Sequence, residues 1–147
     1  MYYVNHEQID TRLAFLPTLT AACRQLEAAA WAGGGENGGA LLLHLAQERT
    51  LYLAIETVTD VGSLLIDAFM MRDASSYEDI VDILAGEGVL EADTAAVLRE
   101  LVGLRRALTQ EYTSVERSGL HPMISRLPAA LEAFAERVPA FIRKEVI

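Results

Sequence analysis

One stretch limits what this chain can become: LYLAIETVTDVGSLLIDAF, Leu51 to Phe69. It reads as helix and is apolar almost all round, interrupted only by Glu56, Asp60 and Asp67 as charged residues. A helix of that kind must be covered on every side, so it belongs in the middle of a bundle or at a subunit interface. Three acids inside one membrane-length window make a bilayer span a poor solution.

The flanking sequence supplies the helices that would cover it. The spacing predicts a first helix starting at Asn5, with Gln8 as its capping partner and Ile9, Leu13, Leu16, Leu19, Cys23 and Leu26 on one face. Pro17 falls inside that pattern and should kink the helix or interrupt its bonding. AGGGENGG, Ala32 to Gly39, is a break read as a flexible connection. No strand precedes these glycines and no phosphate-loop arrangement accompanies them.

The central helix should then run from Ala40 to Met71, with a bend at Gly62. SSYE, Ser75 to Glu78, reads as a capping box opening a short third helix that Gly86 and Gly88 end. A fourth helix is predicted from Ala92 to Thr113. A last one, from Met123 to Lys144, carries Ile124, Leu127, Leu131, Phe134, Val138 and Phe141 on one face. Pro128 and Pro139 should bend or divide it. The expectation is all-α: an antiparallel up-and-down bundle of about five helices, one domain over residues 1–147.

Charge narrows the function classes. A net charge of −9 repels nucleic acid on average, so RNA contact needs a local basic patch. Cys23 is the lone cysteine, which excludes an intrachain disulfide. The first ten residues lack the basic and apolar regions of a signal peptide, so a cytoplasmic protein is expected. The three histidines, His6, His44 and His121, have no metal-ligand spacing, and nothing calls for a cofactor or a nucleophilic triad. His44 reads as a packed helix residue and His121 as a turn residue.

On the fourth helix, Leu98, Leu101, Leu108 and Tyr112 share a stripe with Arg105. A guanidinium that always carries charge must find a carboxylate, a phosphate or water there. Glu56 and Asp60, four residues apart on one face of the second helix, are the candidate partners. Either the three form a structural ion pair or network, or they line a functional cleft.

RRALTQEY, Arg105 to Tyr112, is similar to the Arg-Asn-x-x-x-His-x-Tyr signature of HepT-like proteins in the HEPN superfamily. The resemblance extends from about Asn5 to Ile142, least specifically in the first helix, and the fold it implies is HEPN-like and dimeric. It implies a homodimer whose paired motifs face a cleft between subunits. It also implies metal-independent RNA cleavage and a nucleotidyltransferase-fold antitoxin as partner, with AMP addition to the motif tyrosine as one route of neutralisation. Carried over, Arg105 holds the arginine position, Arg106 replaces asparagine, Gln110 replaces histidine and Tyr112 keeps the tyrosine. Glu56 and Asp60 fall at the acidic positions of the second helix.

Gln110 matters most. Metal-free RNA cleavage needs a group that takes the 2′-hydroxyl proton and one that protonates the leaving oxygen, and histidine titrates in the right range. Glutamine hydrogen-bonds but does not titrate. The resemblance therefore leads to a toxin-type protein that binds RNA or nucleotide phosphate through Arg105 and Arg106, with cleavage lost or weak. The alternative is a non-catalytic homodimeric module with a structural or regulatory role, whose polar cluster only specifies packing.

Overall fold

The computed structural model describes residues 2–31 and 40–146. The glycine-rich segment 32–39, read above as a connection, lies outside the described residues. The described residues form six α-helices: α1 (His6–Ala28), α2 (Ala40–Ala68), α3 (Tyr77–Gly86), α4 (Ala92–Val102), α5 (Arg105–Thr109) and α6 (Pro122–Val146). A 3₁₀ turn, Tyr112–Ser114, follows α5.

Helix α2 is the centre. It packs on α1 on one side and on α3, α4 and α5 on the other, while α6 closes the bundle against α1 and α4. Ala54, Ile55, Val58, Val61 and Leu65 are fully buried. Its buried threonines satisfy their hydroxyls locally: Thr50, Thr57 and Thr59 donate to the carbonyls of Ala46, Leu53 and Ile55 at 2.7–2.8 Å. A hydroxyl bonded within its own helix can be buried without the cost of an unmet donor.

Helix α2 continues through Gly62. A Cβ at Gly62 would stand 2.4 Å from Ile80 Cγ2 and 3.3 Å from Leu84 Cδ1, so the glycine is a notch that lets α3 approach. The helix ends earlier than Met71. Met70 takes a left-handed φ of 52°, and the Met71 N–H turns back to the Ile66 carbonyl.

Asn5 caps α1, accepting from the Gln8 N–H at 3.2 Å. The prolines do not divide their helices: α1 continues through Pro17, and α6 through Pro128 and Pro139. Each helix buries a long apolar face, and that packing outweighs the loss of single backbone bonds. The cap of α3 lies one residue later than predicted. Ser76 accepts from the Asp79 N–H, and the Asp79 carboxylate accepts from the Ser75 N–H at 2.9 Å. Both Asp79 oxygens also accept from the Arg72 guanidinium, at 2.7 and 2.8 Å. These bonds, the arginine's first, hold the Asp79 carboxyl well below the usual carboxylate range.

The predicted fourth helix divides. Gly103 donates to Arg99 at 3.0 Å, but Leu104 reaches only three residues back, to Leu101, and the regular helix stops. Glycine is a weak helix former, and here a Cβ would crowd the Glu100 carbonyl at 3.3 Å. Among the described residues no helix is long and apolar enough to cross a membrane.

Candidate functional site

The break after α4 decides the layout of the motif. Leu98 and Leu101 are fully buried, Leu108 is half-buried, and Tyr112 is 58% exposed on the 3₁₀ turn. The apolar stripe drawn from Leu98 to Tyr112 therefore runs out within α5, which buries no residue completely.

Arg105 opens α5 and is half-buried. Its guanidinium carbon lies 3.8 Å from the centroid of the Tyr77 ring, at the start of α3. The ring's negative face holds the cation in place of a carboxylate. Its Nε is buried and has no hydrogen-bond partner among the described residues. A buried donor left unpaired costs about 1–3 kcal/mol, so this arginine is held with unused bonding capacity.

The expected network of Arg105 with Glu56 and Asp60 does not form. Asp60 instead accepts from Arg12 Nε of α1 at 3.1 Å, while Glu56 is half-buried without a side-chain bond among the described residues. The two acids do share a face of α2, but α1 brings its own cation to that face. Arg106 is exposed and pairs with Glu111 at 3.5 Å. Gln110 is exposed, its backbone N–H bonded to Arg106 and its side chain without a partner among the described residues.

A feature the sequence reading missed lies on another face of α5. His44, Gln47 and Glu48, on one turn of α2, strap the segment that follows the 3₁₀ turn. His44 Nε2 accepts from Gly119 N–H at 2.8 Å, and its Nδ1 pairs with the Ala40 carbonyl, so both ring nitrogens are engaged. Gln47 accepts from His121 N–H at 2.8 Å and donates to the Gly119 carbonyl at 3.1 Å. Glu48 accepts two bonds from Arg117, at 2.9 and 3.0 Å. Gly119 has a φ of 111°, which favours glycine in this tight return. The spacing of His44, Gln47 and Glu48 was the available signal, but nothing local named their targets about seventy residues away.

Above the strap is a cleft of about 340 Å³, with Leu51, Leu104, Leu108, Glu111 and His121 among its walls. His121 Nδ1 accepts from Met123 N–H at 3.0 Å, so the histidine caps α6. Burial pushes His121 below the ordinary histidine value, and Glu100 partly offsets this. Cys23 is buried among apolar side chains, which together with nearby Glu27 raises its thiol to about 11. Such a thiol is no nucleophile near neutral pH. Among the described residues no three His, Cys, Asp or Glu side chains cluster to hold a metal.

Residues 38–138 match the family model described as ribonuclease HepT-like. The chain belongs to the HepT-like family. This HepT-like chain is 35% identical over 102 residues to YutE of Bacillus subtilis (strain 168), a protein whose name assigns it provisionally to the RNases. That match spans 69% of this chain and 71% of YutE. A solved structure of YutE, described as a cytosolic protein of unknown function, superposes with a TM-score of 0.84 at 31% identity, over 99% of this chain and 95% of that one. The HEPN toxin of Shewanella oneidensis, solved tri-AMPylated and in complex with an MNT antitoxin, gives a TM-score of 0.71 at 16% identity, over 90% and 97% of the two chains. At that identity the likeness establishes the HEPN-like helical bundle.

Proposed function

We propose that this HepT-like chain, a single domain over residues 1–147, is a toxin-type RNA-binding protein with a disarmed ribonuclease motif. The observation that supports it best is Arg105: a half-buried guanidinium held by a tyrosine face, with an unpartnered Nε. A phosphate oxygen would supply the missing acceptor and the countercharge together. Arg106, exposed beside it in sequence, is the second phosphate contact once it leaves Glu111.

Gln110 stands where the family signature has histidine, and its side chain offers hydrogen bonds without titration. Acid–base assistance is worth about 10²–10⁴-fold, so cleavage is lost or weak. Asp60 acts through Arg12, and Glu56 contributes as a half-buried acid on the same face of α2.

Two further features belong to this reading. The chain forms a homodimer, for which the exposed Leu41, Leu42 and Leu45 on α2 supply an apolar strip. It pairs with a nucleotidyltransferase-fold antitoxin, by analogy with the complexed HEPN toxin, and the exposed Tyr112 is the hydroxyl to which AMP would be transferred. The same apolar strip also favours a second reading, a homodimeric interaction module without catalysis.

Cleavage of single-stranded RNA in the presence of chelator tests the first reading. Wild type is expected to cut feebly or not at all, Gln110→His to cut, and Gln110→His with Arg105→Ala to be silent. Strong cleavage by wild type that Gln110→His does not improve would show that glutamine is not a disarmed position. Failure of wild type to bind RNA at all would leave the interaction module.

A further inference from the structure

The HepT-like chain is acidic, and most of its arginines are already neutralised. Eight of the eleven pair with a carboxylate: Arg12, Arg24, Arg72, Arg99, Arg106, Arg117, Arg126 and Arg137. Among the described residues Arg49, Arg105 and Arg143 make no ion pair. Arg143 lies at the exposed end of α6. The other two share a feature, because each guanidinium rests on a tyrosine ring: Arg105 on Tyr77 at 3.8 Å and Arg49 on Tyr52 at 5.3 Å. A π face orients a cation without cancelling its charge or occupying its N–H donors.

Arg49 lies at a groove that reaches α5, the helix that Arg105 opens. Arg49 and Tyr52 of α2 face Leu108 and Thr109 of α5 across an open groove of about 410 Å³. Arg105 is four residues before Thr109 on the same side of α5, and the Thr109 hydroxyl donates to the Arg105 carbonyl at 2.8 Å. Glu48, also at the groove, is neutralised by both bonds from Arg117. Single-stranded nucleic acid is held elsewhere by this combination, cations that track the backbone and aromatic faces that take the bases.

We propose that Arg49 and Tyr52 form a second nucleotide subsite beside Arg105, Arg49 holding a phosphate and Tyr52 stacking a base of the same RNA strand. The inference rests on the RNA-binding reading above and extends it from a single phosphate to at least two neighbouring nucleotides. It also accounts for an acidic protein binding a polyanion, since among the described residues the two guanidiniums without an ion pair in the body of the bundle belong to α2 and α5, the two helices that line this groove.

The test is fluorescence anisotropy of the full chain with fluorescein-labelled octauridylate at low salt. Wild type binds. Arg49→Gln and Tyr52→Leu each weaken binding by about fivefold or more, Tyr52→Phe keeps most of it, and Arg143→Gln changes nothing. Removing a phosphate contact also lowers the slope of log affinity against log salt, by about 0.7 for a single strand. Arg49 is exposed, so its replacement leaves the fold intact, and melting curves of all variants check this. If Arg105→Gln weakens binding while Arg49→Gln and Tyr52→Leu do not, the subsite is wrong and the RNA-binding reading stands. If wild type does not bind, both fall together.

Discussion

Helix α2 and the segment from Arg105 to Ser114 obey opposite rules. Fourteen of the 29 residues of α2 are buried, and the helix runs unbroken through a glycine. The short α5 and the 3₁₀ turn bury none, and there one glycine was enough to divide a predicted helix. Burial on many sides over-determines a backbone. Where burial thins, local preference decides, and polar side chains remain free for other uses. The family's signature residues sit in the second kind of region, attached to the first by Leu104, Leu108 and the strap from His44, Gln47 and Glu48.

The largest effect should expose this contrast directly. Leu65→Ala, at a fully buried position of α2, is expected to cost about 2–5 kcal/mol by urea unfolding. Leu108→Ala, half-buried in α5, should cost clearly less, because the site can relax toward solvent. Equal losses would mean that the motif segment is as tightly built into the core as α2.

A smaller loss should come from the attachment between the two regions. Gln47→Leu removes bonds to both Gly119 and His121 and leaves partly buried backbone groups unmet, at about 1–3 kcal/mol. Backbone amide exchange should then quicken between residues 115 and 121 more than in α2. Unchanged exchange there would separate the strap from the ordering of that segment.

The smallest effect is a matter of pH. Asp79 is ionised more readily in the folded chain than in the unfolded one, chiefly because of Arg72. Its contribution is therefore present above the unfolded carboxyl value, about 3.9, and fades as pH falls below it. Wild type should melt slightly above Asp79→Asn at pH 7, and the gap should close under strongly acidic conditions. A gap that does not narrow between pH 7 and pH 2 would mean that the charge is not what Asp79 contributes.

The sequence by itself determined the helical class, the central place of Leu51–Phe69, the cap at Asn5 and the motif that resembles the HepT-like family. These are local matters: apolar period, capping residues and a short signature are all read within one or two turns of chain. Tertiary structure alone decided which charges meet. Asp60 finds Arg12 on α1 rather than Arg105, and Arg105 finds the ring of Tyr77. It also made Gly62 a notch for Ile80, kept two helices undivided at their prolines, and tied His44 and Gln47 to Gly119. Each of these depends on where a second helix or loop comes to rest. A helical wheel gives a side chain's direction along its own axis, and the packing of neighbours gives the partner it meets.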